Sequence, residues 1–141
     1  MPNGSILVDD TYNASPESVS AALEFVAETP VGRGRRLAVL GDMLELGPYE
    51  RTLHERVGAQ AAAVLDGLVA VGERGRWIAD AARAAGLERV ATAPDADQAL
   101  SVVEDTLNPG AHDLLLVKAS RGIALDRLVA ALLGRPADEE G

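Results

Sequence analysis

Leu37-Ala38-Val39-Leu40-Gly41-Asp42-Met43-Leu44-Glu45-Leu46-Gly47 is the stretch on which the fold turns. It opens with apolar residues that do not alternate with polar ones, the pattern of a strand covered on both faces. Glycines and acids follow, and beyond them Leu53, Val57, Ala61 and Val64 recur at helical spacing. A buried strand, a polar loop and an amphipathic helix make one βα unit. The same order recurs along the chain. The strand-like runs are Ile6-Leu7-Val8, Leu68-Val69-Ala70-Val71, Val90-Ala91-Thr92 and Leu114-Leu115-Leu116-Val117. Helical stripes follow them: Val19, Ala22, Leu23 and Val26; Trp77, Ile78, Ala81, Ala82 and Ala85; Leu100, Val103 and Leu107; Leu125, Leu128, Val129 and Leu132. This repetition predicts an α/β domain of three αβα layers, Rossmann-like, with a mostly parallel sheet of five to six strands and helices on both faces.

Composition agrees and removes several function classes. The 141 residues suit one domain, and with 48% hydrophobic and 25% charged residues the chain can fill a core. Aromatics are only 3%, so that core is aliphatic and alanine-rich. The net charge of −9 speaks against a general nucleic-acid binder. There is no Cys, hence no disulfide framework, thiolate metal site or thiol nucleophile. No apolar run approaches a membrane span, and a soluble cytoplasmic protein is expected, without membrane partners. Residues 134–141 lack large apolar side chains and read as a frayed tail behind a domain of residues 1–133.

Ligands of open parallel sheets bind at the carboxyl ends of the strands, so the residues after each run are the ones to examine. The first runs into Asp9-Asp10-Thr11-Tyr12-Asn13-Ala14-Ser15-Pro16, the second into Gly41-Asp42-Met43-Leu44-Glu45, and the fifth into Lys118-Ala119-Ser120-Arg121-Gly122. Lys118 is the only lysine among thirteen basic residues. Lys118 and Arg121, at the opening of the last helix, suit a phosphate or a carboxylate. Asp9, Asp10 or Asp42 can accept from a ribose hydroxyl or an amine, or hold a hydrated metal ion, and Tyr12 offers a ring for stacking on a base. Each has a plainer reading: acids and Asn after a strand form turns and caps, Asp42 can cap its own turn, and Lys118 and Arg121 can pair with Asp9 or Asp10. Ser15 before Pro16 is a helix start. His54 sits one position off its apolar stripe and is expected to be a partly exposed structural residue, Trp77 is expected to pack, and His112 in a Pro-Gly-Ala-His turn is given no role. The third and fourth strand ends, Gly72-Glu73 and Ala93-Pro94, look plain. Gly72-Glu73-Arg74-Gly75-Arg76 reads as a charged turn, and no complete nucleotide-phosphate cradle is present.

Three stretches, in order, carry a resemblance. Residues 9–23 (DDTYNASPESVSAAL), 40–47 (LGDMLELG) with 53–58 (LHERVG), and 117–122 (VKASRG) resemble the C-terminal domain of the Mur ligases. Within that family they are most similar to the branch that adds D-alanyl-D-alanine to UDP-N-acetylmuramoyl-tripeptide. Two positions depart from the family's usual motifs: Ser15 stands where YNANP has its second Asn, and Ala119 where VKGSRG has its first Gly.

The resemblance implies a division of labour. An N-terminal domain holds the UDP-sugar, a central domain carries the P-loop for ATP together with Mg²⁺ and a carbamylated lysine, and the C-terminal domain closes over ATP and dipeptide. ATP phosphorylates the tripeptide's terminal carboxylate, and the dipeptide amine attacks the acyl phosphate. Carried onto this chain, Asp9, Asp10, Tyr12 and Asn13 face the nucleotide. Asn13, Ser15, Lys118, Ser120 and Arg121 face the dipeptide or phosphoryl group, while Asp42 and Glu45 form the loop or meet another domain, with contact to the substrate amine as the other option. No catalytic residue and no metal ligand is expected within the chain. A reaction that needs three domains exceeds 141 residues, so the chain is expected to be one part of a longer ligase, folded yet silent alone.

A receiver-like phosphoacceptor domain is the alternative. It too has five βα units, an acidic pair after the first strand and a Lys after the fifth. It needs an Asp where this chain has Val71-Gly72-Glu73, and a Pro where Ala119 follows Lys118.

Overall fold

A computed structural model describes residues 5–9, 15–44, 46–110 and 112–118. Its elements alternate as the sequence pattern predicts. They are β1 (Ser5–Asp9), α1 (Pro16–Glu28), β2 (Arg36–Gly41), α2 (Glu50–Val64), β3 (Gly67–Val71), α3 (Gly75–Ala84), β4 (Val90–Ala93), α4 (Ala96–Val102) and β5 (Leu114–Lys118). A 3₁₀ turn, Gly47–Tyr49, leads into α2, and a π-helical turn, Val103–Leu107, extends α4. The stripe at Leu125–Leu132 and the tail at 134–141 lie outside the described residues, so four of the five expected helices are seen.

The five strands form one sheet in the order β1-β5-β2-β3-β4, and every pairing is parallel. This order explains the layers. The steps β1→β2→β3→β4 all progress across the sheet in one direction, so right-handed crossovers put α1, α2 and α3 on the same face. The return from β4 to β5 runs the other way and puts α4 on the opposite face. The cores divide accordingly. Ala38, Leu40, Leu68, Ala70, Leu114 and Leu116 pack with Val19, Leu23, Val26, Val57, Ala61, Ile78 and Ala82 from the first three helices. Leu37, Val39, Val69, Val71, Leu115 and Val117 pack with Ala99, Val103 and Leu107 on the α4 side. Because both sides of β2, β3 and β5 are covered, their sequences run apolar without alternation.

Local chemistry sets the ends. Ser15 caps α1: its Oγ accepts the Ser18 N–H at 3.1 Å, and Ser18 Oγ accepts the Ser15 N–H at 2.9 Å. At the other end of α1, Arg36 donates from Nε to the Val26 carbonyl and from Nη2 to the Thr29 carbonyl, both at 2.8 Å. These bonds satisfy acceptors that a helix terminus leaves open. Arg35 and Asp113 tie the start of β2 to the start of β5. Asp113 accepts from the Arg35 backbone N–H at 2.8 Å, from Arg35 Nη2 at 2.6 Å and Nε at 3.2 Å, and from the Gly110 N–H at 2.8 Å.

Two helices bury different faces from the expected stripes. In α2 the buried residues are His54, Val57, Gly58 and Ala61, while Leu53 and Val64 are only half-buried. The face is rotated because α3 lies close against α2: a Cβ at Gly58 would overlap the Ile78 carbonyl, so the glycine lets the backbones approach. His54 is therefore fully buried, correcting the expectation of partial exposure. In α3 the buried set is Gly75, Ile78, Ala79 and Ala82, with Trp77 half-buried and Ala85 exposed.

Candidate functional site

The carboxyl edge of the sheet presents, in spatial order, the ends of β1, β5, β2, β3 and β4. Asp9 is in register with Lys118, and Lys118 with Leu40. The three strand ends that carry chemistry in the sequence are thus neighbours, because β5 inserts between β1 and β2. Lys118 ends the middle strand and is 1% exposed. By strand alternation it shares the α1–α3 face with Leu114 and Leu116. Of the other candidates, Asp9 is placed by its backbone at the end of β1. Asp10, Tyr12, Asn13, Glu45, Ser120 and Arg121 lie outside the described residues. Ser15 spends its hydroxyl on the α1 cap, which fixes where that helix starts after the β1 loop.

Asp42 lies immediately after β2 and is 3% exposed. Its backbone N–H donates to the Val71 carbonyl at 2.9 Å, so the β2 end stays joined to the β3 end. Its Oδ2 accepts the Arg74 N–H at 3.2 Å, with Arg74 Nη1 at 3.7 Å. Gly72 closes over the carboxylate at φ +102°, and a Cβ there would stand 2.7 Å from the carboxyl carbon and both oxygens. Only glycine meets both the left-handed conformation and the close approach. Asp42 Oδ1 has no hydrogen-bond partner among the described residues. These contacts describe the loop-forming role, with the carboxylate turned inward under the β3–α3 turn.

Glu50, at the start of α2, links this clamp to a second one. Its carboxylate receives Arg74 Nε at 3.3 Å, and its carbonyl lies 2.6 Å from His54 Nδ1. His54 Nε2 accepts the Met43 N–H at 2.9 Å. The ring meets Trp77 edge-on at 5.7 Å between centroids, and Arg51 sits 5.9 Å over that indole. The loop after β2 is therefore held at consecutive residues, Asp42 by the β3–α3 turn and Met43 by α2. Leu44 beyond it is exposed.

Gly72, Arg74, Glu50 and His54 are the residues that reading the sequence did not bring to this edge. The one local signal was a glycine ending an apolar run two residues before an arginine. Among the described residues, no three His, Asp or Glu side chains gather into a group that could hold a metal ion. No described helix is long and apolar enough to cross a membrane.

The sequence profile of the family described as Mur ligase, glutamate ligase domain, matches residues 2–121. The chain belongs to this family. A UDP-N-acetylmuramoyl-tripeptide--D-alanyl-D-alanine ligase of Synechocystis is 44% identical over 129 residues, which cover 91% of this chain and 27% of that protein. One crystal structure of MurF from Acinetobacter baumannii superposes with a TM-score of 0.77 at 28% identity, over 96% of this chain and 30% of that one. That of MurF ligase from Thermotoga maritima in complex with ADP gives 0.69 at 29% identity, over 89% and 27%. This Mur ligase domain thus spans under a third of the length of the curated relatives it matches. The receiver-like alternative finds no support. Its sheet order of 2-1-3-4-5 differs from the order here, and β3 ends at Val71 with Gly72 next, where a receiver needs an Asp.

Proposed function

We propose that this chain is the C-terminal domain of an ATP-dependent ligase that joins D-alanyl-D-alanine to UDP-N-acetylmuramoyl-tripeptide in cytoplasmic peptidoglycan precursor synthesis. The observation that carries this reading is 44% identity, across 91% of the chain, to a relative named for that reaction. The juxtaposition of the β1, β5 and β2 ends supports it. So does the ADP complex formed by the Thermotoga relative.

In this reading residues 1–133 form the domain and 134–141 a tail, while the UDP-sugar site and the P-loop belong to N-terminal and central domains of the same enzyme. ATP's γ-phosphoryl group passes to the tripeptide's terminal carboxylate, releasing ADP. The dipeptide amine adds to the acyl phosphate, the tetrahedral intermediate collapses, and inorganic phosphate leaves as the amide forms. This domain's part is to present the dipeptide and to close over the nucleotide. Asp9, Asp10, Tyr12 and Asn13 form the nucleotide-facing loop. Lys118, Ser120 and Arg121 orient the dipeptide carboxylate or the phosphoryl group, with Asn13, Ser15 and Glu45 at the margin of the same site. Asp42 contributes by shaping the loop. Mg²⁺ is assigned to the central domain.

Ligation assays test this directly. The chain alone, supplied with ATP, Mg²⁺, UDP-N-acetylmuramoyl-tripeptide and D-alanyl-D-alanine, should release no phosphate. Fused behind the N-terminal and central domains of the Synechocystis relative, it should release phosphate only when D-alanyl-D-alanine is present. Ligation by the chain alone, or a fusion that prefers a different amine, refutes the reading.

A further inference from the structure

His54 is fully buried and makes hydrogen bonds to backbone from both ring nitrogens. The Glu50 carbonyl can only accept, so Nδ1 carries the proton. The Met43 N–H can only donate, so Nε2 carries none. The neutral Nδ1–H tautomer is the one form that satisfies both partners. Met43 is 1% exposed, so its N–H has no water to turn to if the imidazole is removed. Among the described residues, the charged groups around this contact belong to the first clamp: the Glu50 carboxylate with Arg74, and Arg74 with Asp42. Arg51 sits over the Trp77 ring that His54 meets edge-on.

We propose that His54 is a positioning residue for the ligase site. From the second turn of α2 it fixes Met43, and through Met43 the loop that leaves β2 beside the end of β5. Leu40 is in register with Lys118, so Met43 lies three residues beyond the position flanking the proposed dipeptide contact. A loop held here keeps one wall of the dipeptide pocket in place. A loop released at Met43 leaves Lys118 where it is but weakens the pocket around it. The inference rests on the ligase reading and adds to it a residue that never touches substrate.

Two substitutions separate positioning from bulk stability. His54→Gln keeps an acceptor within reach of the Met43 N–H, whereas His54→Phe keeps volume and accepts nothing. On the chain itself, ¹⁵N NMR of the imidazole should show a proton on Nδ1 and none on Nε2. The Met43 amide should exchange slowly in the parent and in His54→Gln, and about tenfold or more faster in His54→Phe, as expected for one lost buried hydrogen bond. In the fusion ligase, His54→Phe should raise KM for D-alanyl-D-alanine by about tenfold with kcat changed less than about threefold. His54→Gln should recover most of that loss. Val103→Ala, a cavity in the core on the α4 side, to which Met43 does not belong, should leave KM unchanged. An Nε2–H tautomer, or a Met43 amide indifferent to His54→Phe, overturns the pinning. A freed Met43 with unchanged dipeptide KM overturns its link to the site. An inactive parent fusion instead removes the ligase reading, while the NMR result still decides the tautomer and the pinning.

Discussion

Replacing Asp113 by Asn should destabilise the domain in a way that depends on pH. Burial by itself would raise the Asp113 carboxyl. The Arg35 side-chain hydrogen bond, the Gly110 and Arg35 backbone N–H groups and the Arg35 charge outweigh it, lowering the pKa from 3.8 to about 2. A folded-state value below the unfolded one means that the stabilisation is fully present above the unfolded value and is lost as pH falls through the folded one. At about 1.4 kcal/mol per pH unit separating the two states, and with solvent reaching Arg35 to screen the pair, the ionised carboxylate contributes roughly 1–2 kcal/mol. Asn keeps one acceptor for the Arg35 backbone N–H. Its amide then faces the donors of Gly110 and the Arg35 guanidinium, which adds about 1 kcal/mol of mismatch. Asp113→Asn should therefore cost about 2–3 kcal/mol near neutral pH, a fall in Tm of roughly 6–12 °C for a chain of this size. Thermal unfolding followed by circular dichroism from about pH 7 down to about pH 2 checks both size and shape. The gap between parent and variant should hold down to about pH 5 and shrink below it. A parent and variant that melt together at neutral pH, or a gap that stays constant to the acid limit, would refute the reasoning.

Three further outcomes follow from contacts described above. Gly72→Ala forces a left-handed backbone on a β-branch-free but bulkier residue and drives a methyl into the Asp42 carboxylate. It should lose about 2–3 kcal/mol, and a Tm within a degree of the parent would contradict the crowding. Arg36→Leu removes two donors from the α1 terminus and should cost about 1–2 kcal/mol in urea unfolding, with faster amide exchange confined to the end of α1 and the turn before β2. Lys118→Met in the fusion ligase should lower kcat/KM by about 10- to 150-fold, since one charge-assisted contact contributes about 1.5–3 kcal/mol. Full activity in that variant would remove Lys118 from the site.

Much of the fold was legible because each strand carries its own signal. The runs at 37–40, 68–71 and 114–117 are apolar on both faces, and the structure buries them on both faces. The side of the sheet taken by each helix was not legible, since it depends on β5 inserting between β1 and β2, which no local pattern encodes. Apolar periodicity misplaced the inner face of α2 by one position because it assigns polar residues outward. His54 breaks that rule by satisfying both nitrogens on backbone. Likewise Gly72 and Arg74 looked like an ordinary charged turn because their partner, Asp42, lies far back in the chain. Lys118 was legible as a position at the end of a strand, while its burial goes with a strand flanked by β1 and β2 and a face covered by α1–α3.

The place of β5 also bears on how the domain assembles. β2, β3 and β4 pair in chain order through short crossovers, so that half can form while later residues are still being synthesised. Among the described strands, β1 pairs only with β5, and one whole side of β2 is likewise covered only by β5. Until residue 118 has left the ribosome, both carry unpaired backbone edges that can pair with another chain. Closing the sheet requires a strand from late in the sequence to slip between two early ones, a non-local parallel pairing of the kind that forms slowly. A pause or truncation just before Leu114 would therefore produce an open, self-associating sheet rather than a slightly shortened domain.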